Sequence, residues 1–239
     1  ELLSDLLGKF RTFYAEGDDA RATANYGEYF LGSIIVTNRG GKSFLVDGQQ
    51  RVTTLTLLII HLYREVNAVG LPVAATLSPL IFSDDRGTAK FNLDIAERRP
   101  IIQALFEGDE LNPDGQPESN QTLVARYRDI EEANLAVELG DGFAPFIYWL
   151  MDNVGLIEIA TENDEHAYAI FETMNDRGKP LSPIDMAKAY LLSPIVNDEN
   201  RVDANRVWKS TVLQLTSWGD ETDKERDVTM MKAWLRAQF

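Results

Sequence analysis

The chain has 239 residues, 44% of them apolar, with a formal charge of −15 and no cysteine. That length and apolar content allow one large domain or two small ones around a substantial core, and the missing cysteines exclude disulfides, thiolate metal sites and cysteine nucleophiles. The acidity argues against a protein that grips nucleic acid with most of its surface, because backbone affinity comes from neutralising phosphates, and it leaves room for a local basic pocket.

No apolar run approaches the roughly 18 residues that a membrane span needs. Residues 1–13 carry Asp5, Lys9 and Arg11 and have no continuous apolar core, so they do not read as a signal peptide. A cytoplasmic location without membrane contact is the expectation. The chain opens on Glu1 rather than Met, and the natural start is expected upstream. Much of the negative charge sits in Asp114 to Glu118, Asp198 to Asp203 and Asp220 to Asp227, which read as solvated loops and helix faces.

Leu2, Leu3, Leu6, Leu7 and Phe10 share one stripe at helical spacing. A polar loop follows from Glu16 to Asn25. Tyr29 to Val36 is rich in aromatic and β-branched residues and reads as a strand. The segment Thr37-Asn-Arg-Gly-Gly-Lys42 is a turn, with glycines for positive φ, and Ser43 to Val46 returns as the second strand of a hairpin. From Gln49 the period changes: Val52, Leu55, Leu58, Ile59, Leu62 and Val66 follow helical spacing, and Leu57 and Ile60 widen the apolar face. So apolar a helix belongs at the centre of a fold, and it should stop near Gly70-Leu-Pro72.

Ala75 to Leu93 reads as a second hairpin around Ser83-Asp-Asp-Arg-Gly87, and Glu97 to Phe106 as a helix. Gly108 to Asn120 is a loop rich in Pro, Gly and Asp and the best candidate boundary. It would separate a domain over residues 1–107 from a mainly helical one over 121–239. Beyond it, Thr122 to Leu139 and Pro145 to Met151 read as helices. Gly155 to Thr161 alternates like a strand that can return to the front sheet. Glu165 to Met174 is helical, and Ser182-Pro-Ile-Asp185 opens a helix running to about Leu192, with serine at the cap and proline in the first turn. The tail through Trp208, Trp218 and Trp234 reads as helix. The overall class is α+β.

Two constellations can carry chemistry. In Phe44-Leu-Val-Asp-Gly-Gln-Gln-Arg-Val-Thr-Thr54 a strand ends and a helix begins within three residues. The first amides of that helix lack intrahelical partners and favour an anion. Gly48 lets the backbone turn and a ligand approach. Arg51 offers a forked cation suited to phosphate oxygens, and Thr53 and Thr54 add hydroxyls. Gln49 and Gln50 can orient a phosphate or a water without repelling it. Asp47 can hold a magnesium ion or its water. The bland alternative is a strand-helix corner with Asp47 as a plain N-cap, and no Walker A loop is present.

The second constellation is Phe171-Glu-Thr-Met-Asn-Asp-Arg-Gly-Lys-Pro-Leu-Ser182. Glu172 and Asn175 share a helix face, and Gly178 is a plausible C′ residue. Asn175, Arg177 and Lys179 then gather at one corner. The alternative is a simple helix connection whose cations neutralise the helix dipole. The two histidines, His61 inside an apolar helix and His166 at an acidic helix start, read as structural, since two isolated histidines make no metal nuclease.

Together, Asp47-Gly-Gln-Gln-Arg51 with Thr53-Thr54, and Phe171-Glu-x-x-Asn175-x-Arg177-Gly178 with Leu181-Ser182, resemble the N-terminal domain family of GmrSD-type restriction endonucleases. Tyr29-Phe-Leu-Gly32 and Lys188-x-Tyr190-Leu191 fit the same pattern, and the resemblance runs over roughly residues 1–192. It implies a ParB/sulfiredoxin-like core, a small mixed sheet with a buried helix, followed by a mainly helical domain. It implies a nucleotide-binding, NTP-hydrolysing module of a type IV-like, modification-dependent defence system. Asp47, Gln50 and Arg51 would serve turnover. Gly48, Gln49, Thr53, Thr54, Asn175, Arg177 and Lys179 would bind GTP, CTP, UTP or ATP, and Asp47, Glu172 and Asn175 would hold Mg2+. Cutting would belong to a His-Asn-His-type nuclease domain downstream or in a partner chain, and DNA would be met through the full-length protein. The family usually carries an Ile-Pro-x-Tyr-Gln-Arg-type segment upstream of the first helix, and this chain starts after the place where it is expected. The alternative is a module that senses nucleotide or modified DNA without turnover and regulates a partner nuclease.

Overall fold

The structure is a computed structural model describing residues 1–39, 41–163, 166–167, 170, 195, 200, 203–208 and 210–211. Its elements are α1 (Leu2–Arg11), β1 (Tyr29–Arg39), β2 (Lys42–Asp47), α2 (Gln49–Ala68), α3 (Ala74–Ile81), β3 (Phe82–Asp85), β4 (Thr88–Phe91), α4 (Arg99–Glu107), α5 (Glu118–Glu132), α6 (Leu135–Leu139), α7 (Phe143–Asp152) and β5 (Val154–Thr161). The chain is α+β, with a small three-stranded sheet of order β2-β1-β5, a separate β3-β4 hairpin and several helices. None of the helices among the described residues is long and apolar enough to cross a membrane.

The chain forms two compact units, one of Glu1–Ile34 with Gly48–Glu158, the other of Ile35–Asp47 with Ile159–Phe239. In the second unit, β1 and β2 pair antiparallel, Val36 opposite Leu45 and Arg39 opposite Lys42, with the register shifting between Ile35 and Val36. A bulge of this kind bends a strand and increases its twist. In the same unit Asn163 Oδ1 accepts the His166 amide at 2.8 Å.

The first unit holds the core. Helix α2 lies at its centre, packed against α3, α4 and α5. Leu57, Leu58, Ile60, Leu62 and Val66 are each at most 1% exposed, and burying a side chain of this size stabilises by about 1.5–3 kcal/mol. The buried residues begin at Leu57, so burial spans the second half of the helix. The first two turns are more open, with Gln49 and Gln50 exposed. The helix ends as the Gly-Leu-Pro signal requires. Gly70 adopts φ 70°, its amide donates to Asn67 at 3.1 Å, and the Leu71 amide donates to Val66 at 2.9 Å. This is the double carbonyl capture of a Schellman stop.

Aromatic side chains join the front of this unit to α7. Phe10 meets Phe146 edge to face at 5.3 Å and stacks on Tyr14 at 5.2 Å. The indole of buried Trp149 donates to the Gly27 carbonyl at 3.1 Å, and Asn153 Nδ2 donates to that of Tyr26 at 2.9 Å. These bonds fix the chain just before β1, whose first amide, Tyr29, donates to Asn153 at 2.8 Å. The returning strand β5 follows α7 directly and pairs beside β1.

Three elements depart from the sequence expectation. The turn expected over 37–42 is shorter, because Thr37, Asn38 and Arg39 pair in register with Phe44, Ser43 and Lys42 and extend the two strands. The segment expected to form one hairpin over 75–93 is a helix, α3, followed by a shorter hairpin, β3-β4. Leu77 and Ile81, one turn apart, are both buried, so a helical face satisfies the core. The hairpin turns through Arg86 and Gly87, both at positive φ, and Asp84 accepts the Gly87 amide at 2.7 Å. The helix expected over 122–139 begins earlier, at Glu118, and breaks at Asn134, whose φ of 44° lies in the left-handed region.

Candidate functional site

The strand-to-helix turn has the form the sequence requires. β2 ends at Asp47, opposite Ile35. Gly48, the N-cap residue, takes φ 84° and ψ 11°, and among the described residues no side-chain cap bond is made there. The first intrahelical bond runs from the Val52 amide to the Gly48 carbonyl at 3.0 Å. A Cβ on Gly48 would come within 2.6 Å of Ile34 Cγ2. Both the backbone angle and the close packing therefore demand glycine.

The motif side chains divide between two sides of α2. Arg51 turns toward β1. Its Nη1 donates to the Ser33 carbonyl at 2.7 Å, and its guanidinium covers Gly32, where an added Cβ would meet Cζ at 3.1 Å. Gly32 itself has φ 115°. The glycine of Tyr29-Phe-Leu-Gly32 and the arginine of Asp47-Gly-Gln-Gln-Arg51 are thus parts of one contact.

Gln49, Gln50, Thr53 and Thr54 face the other way and line a cavity of about 540 Å³, with Leu57 beneath them. Its opposite wall comes from Arg98 and from Glu118, Ser119, Thr122 and Arg126. Three helices begin at this cavity: α2 at Gln49, α5 at Glu118, and α4 just after its N-cap residue Arg98. Helix N-termini carry partial positive charge and favour anions. The Thr54 hydroxyl donates to the Gln50 carbonyl at 2.8 Å, which leaves its oxygen lone pairs as acceptors. Arg126 donates to Asp129 at 2.8 Å. A volume of this size suits a small organic ligand, for which roughly 300–1,000 Å³ is usual.

A second cavity, of about 710 Å³, lies between the α4-α5 loop and α5. Its arginines are committed to the fold. Arg64 donates to the Tyr127 hydroxyl at 2.7 Å and lies 3.6 Å from Glu131, and Arg128 donates to the Leu111 carbonyl at 3.0 Å. Burial pushes the Tyr127 phenol above its ordinary range.

His61 is buried in α2, edge-on to Tyr127 at 6.1 Å. Burial depresses its basicity, partly opposed by Glu65. Among the described residues no three His, Asp or Glu side chains cluster to hold a metal by themselves. Mg2+ held together with substrate phosphates needs only one or two protein carboxylates, so a lone Asp47 fits that mode. Glu172, Asn175, Arg177 and Lys179, with Lys188 to Leu191, lie outside the described residues. Arg98, Arg126 and the first turn of α5 escaped the sequence reading. No local pattern marks them, because they meet α2 only after three separate segments pack together.

A family model described as GmrSD restriction endonuclease, N-terminal domain, matches residues 1–192. No curated protein matches the chain significantly.

Proposed function

The chain belongs to the GmrSD restriction endonuclease N-terminal domain family, and from that premise we propose that it is the nucleotide-binding, NTP-hydrolysing module of a modification-dependent restriction system. The family makes it a module of a restriction defence system. Our reading adds a ParB/sulfiredoxin-like core, an NTP as ligand, and a His-Asn-His-type nuclease as the partner that cuts DNA.

One observation carries the nucleotide reading. Gln49, Gln50, Thr53 and Thr54 of the motif line the cavity at which α2 begins, beside an N-terminus whose N-cap residue is a glycine. Phosphate oxygens accept from the first-turn amides of α2 and from the glutamine amides. Gln50 orients a water toward the γ-phosphorus, as polar side chains do in phosphoryl transfer. The water oxygen forms the new P–O bond, the bond to the bridging β-γ oxygen breaks, and NDP, inorganic phosphate and a proton leave. Arg51, on the other side of α2 from the cavity, braces the turn against β1 through Ser33 and serves turnover by holding the start of the helix in place. Asp47 would hold Mg2+, with Glu172 and Asn175 of the second motif as further ligands. The bound ion would supply charge neutralisation on the transferred phosphoryl group. Asn175, Arg177 and Lys179 complete the nucleotide contacts.

The test is phosphate release from GTP, CTP, UTP and ATP by the purified full-length protein with Mg2+, beside equilibrium binding of each. Release with one or more NTPs is the expected result. Binding without release points to a sensing module, and no binding of any NTP overturns the reading.

A further inference from the structure

We propose that Arg98, supported by Arg126, forms a second phosphate-binding wall of the nucleotide pocket, facing the glutamines of α2 and outside the sequence motifs. The proposal rests on the reading of the α2 turn as a nucleotide site and names the residues that would hold the anionic end of its ligand.

The charge around the cavity runs against that of the chain. The formal charge is −15, yet among the described residues the ionisable side chains lining this cavity are Arg98, Arg126 and Glu118, an excess of one positive. The larger cavity shows the opposite balance: Arg64 and Arg128 against Asp109, Glu110, Asp114 and Glu131. A triphosphate is accommodated by the first and repelled by the second.

The arginines also differ in how they are used. Arg64 and Arg128 donate to a phenol and a carbonyl of the fold. Arg98 is half-buried and, among the described residues, makes no side-chain hydrogen bond or ion pair. A cation partly withdrawn from water without a partner carries an uncompensated desolvation cost. Arg98 is moreover the N-cap residue of α4, where the helix dipole disfavours positive charge. An anion in the cavity relieves both penalties at once. Arg126, exposed and paired with Asp129, adds long-range attraction more than a specific contact. Ser119, on the first turn of α5, brings a neutral hydroxyl to the same wall, whereas the Thr122 hydroxyl donates to the Glu118 carbonyl at 2.9 Å.

Titration calorimetry with the full chain and Mg2+ tests this, using each NTP with its nucleoside and monophosphate. Arg98→Gln should weaken NTP binding about tenfold to a hundredfold, the range for a lost charged hydrogen bond, and leave nucleoside binding within about twofold. Glu118→Gln removes the one acidic group of the wall and should tighten NTP binding about threefold, a gain that misfolding cannot produce. An Arg98→Gln variant with wild-type NTP affinity overturns the proposal while the turn reading stands. So does an equal loss for NTP and nucleoside, or a loss of NTP affinity in Glu118→Gln. Wild-type protein that binds no NTP overturns both.

Discussion

The guanidinium of Arg51 covers Gly32 and bonds to the next carbonyl, that of Ser33, at 2.7 Å. An added Cβ on Gly32 would meet Arg51 Cζ at 3.1 Å, on a backbone already at φ 115°. Gly32→Ala is therefore expected to destabilise by about 1–3 kcal/mol, the cost of a side chain in a sparsely populated backbone region, read as a lower urea midpoint. Arg51→Ala should lower nucleotide affinity while the protein still folds. Arg51→Lys should recover little, since a lysine cannot reproduce the fork. Wild-type affinity in Arg51→Ala would remove Arg51 from the site.

Gly48 is constrained from two sides. Its φ is 84°, and a Cβ would approach Ile34 Cγ2 to 2.6 Å. Gly48→Ala should cost at least about 1–3 kcal/mol and displace the start of α2. Pairing it with Ile34→Ala should restore part of the stability by opening space, leaving the φ penalty. If the pair is merely additive, the overlap is not what makes the glycine necessary.

Gln50 is exposed on the first turn of α2 and lines the cavity. On the proposed role of orienting the attacking water, replacing Gln50 by Ala should lower kcat for NTP hydrolysis by about a hundredfold with little change in KM. Gln50→Glu should instead weaken binding by placing an anion against the phosphates. A Gln50→Ala enzyme with wild-type kcat would show that another group orients the water.

Burial holds His61 below its ordinary pKa of 6.5, against the pull of Glu65 and with a smaller push from Arg64. The unfolded chain takes up this proton at higher pH than the folded one, so stability rises with pH across the interval. The contribution of neutral His61 is full above 6.5 and is lost as pH falls toward the folded value. His61→Gln should show a shallower decline in urea midpoint than wild type from about pH 7 to about pH 5. An equally steep decline would place the sensitivity in other groups.

The hairpin, the central helix and the returning strand were legible because each carries a strong local period and a turn signal beside it. The glycine at 48 announced its own conformation. The sequence does not announce α3, because Ala74 to Ile81 mixes Thr, Pro and branched residues, and only the burial of Leu77 and Ile81 decides for a helix. Arg98 was invisible for a different reason. It sits in an unremarkable stretch, Glu97-Arg-Arg-Pro100, and acquires meaning only when α4 and α5 bring it opposite Gln49 and Gln50. Arg51 taught the reverse: the sequence suggested its charge, whereas its contact with Gly32 needed the fold.

Helix α2 is buried in its second half and open at its beginning, so its amides should not exchange with solvent as one block. Beyond Leu57 exchange should require opening of the whole unit, whereas at Gln49 to Val52 it should follow fraying of the first turn. The helix thus carries its own internal reference. A ligand seated at the turn would slow the early amides alone, and the unchanged remainder would report that the fold itself had not been altered.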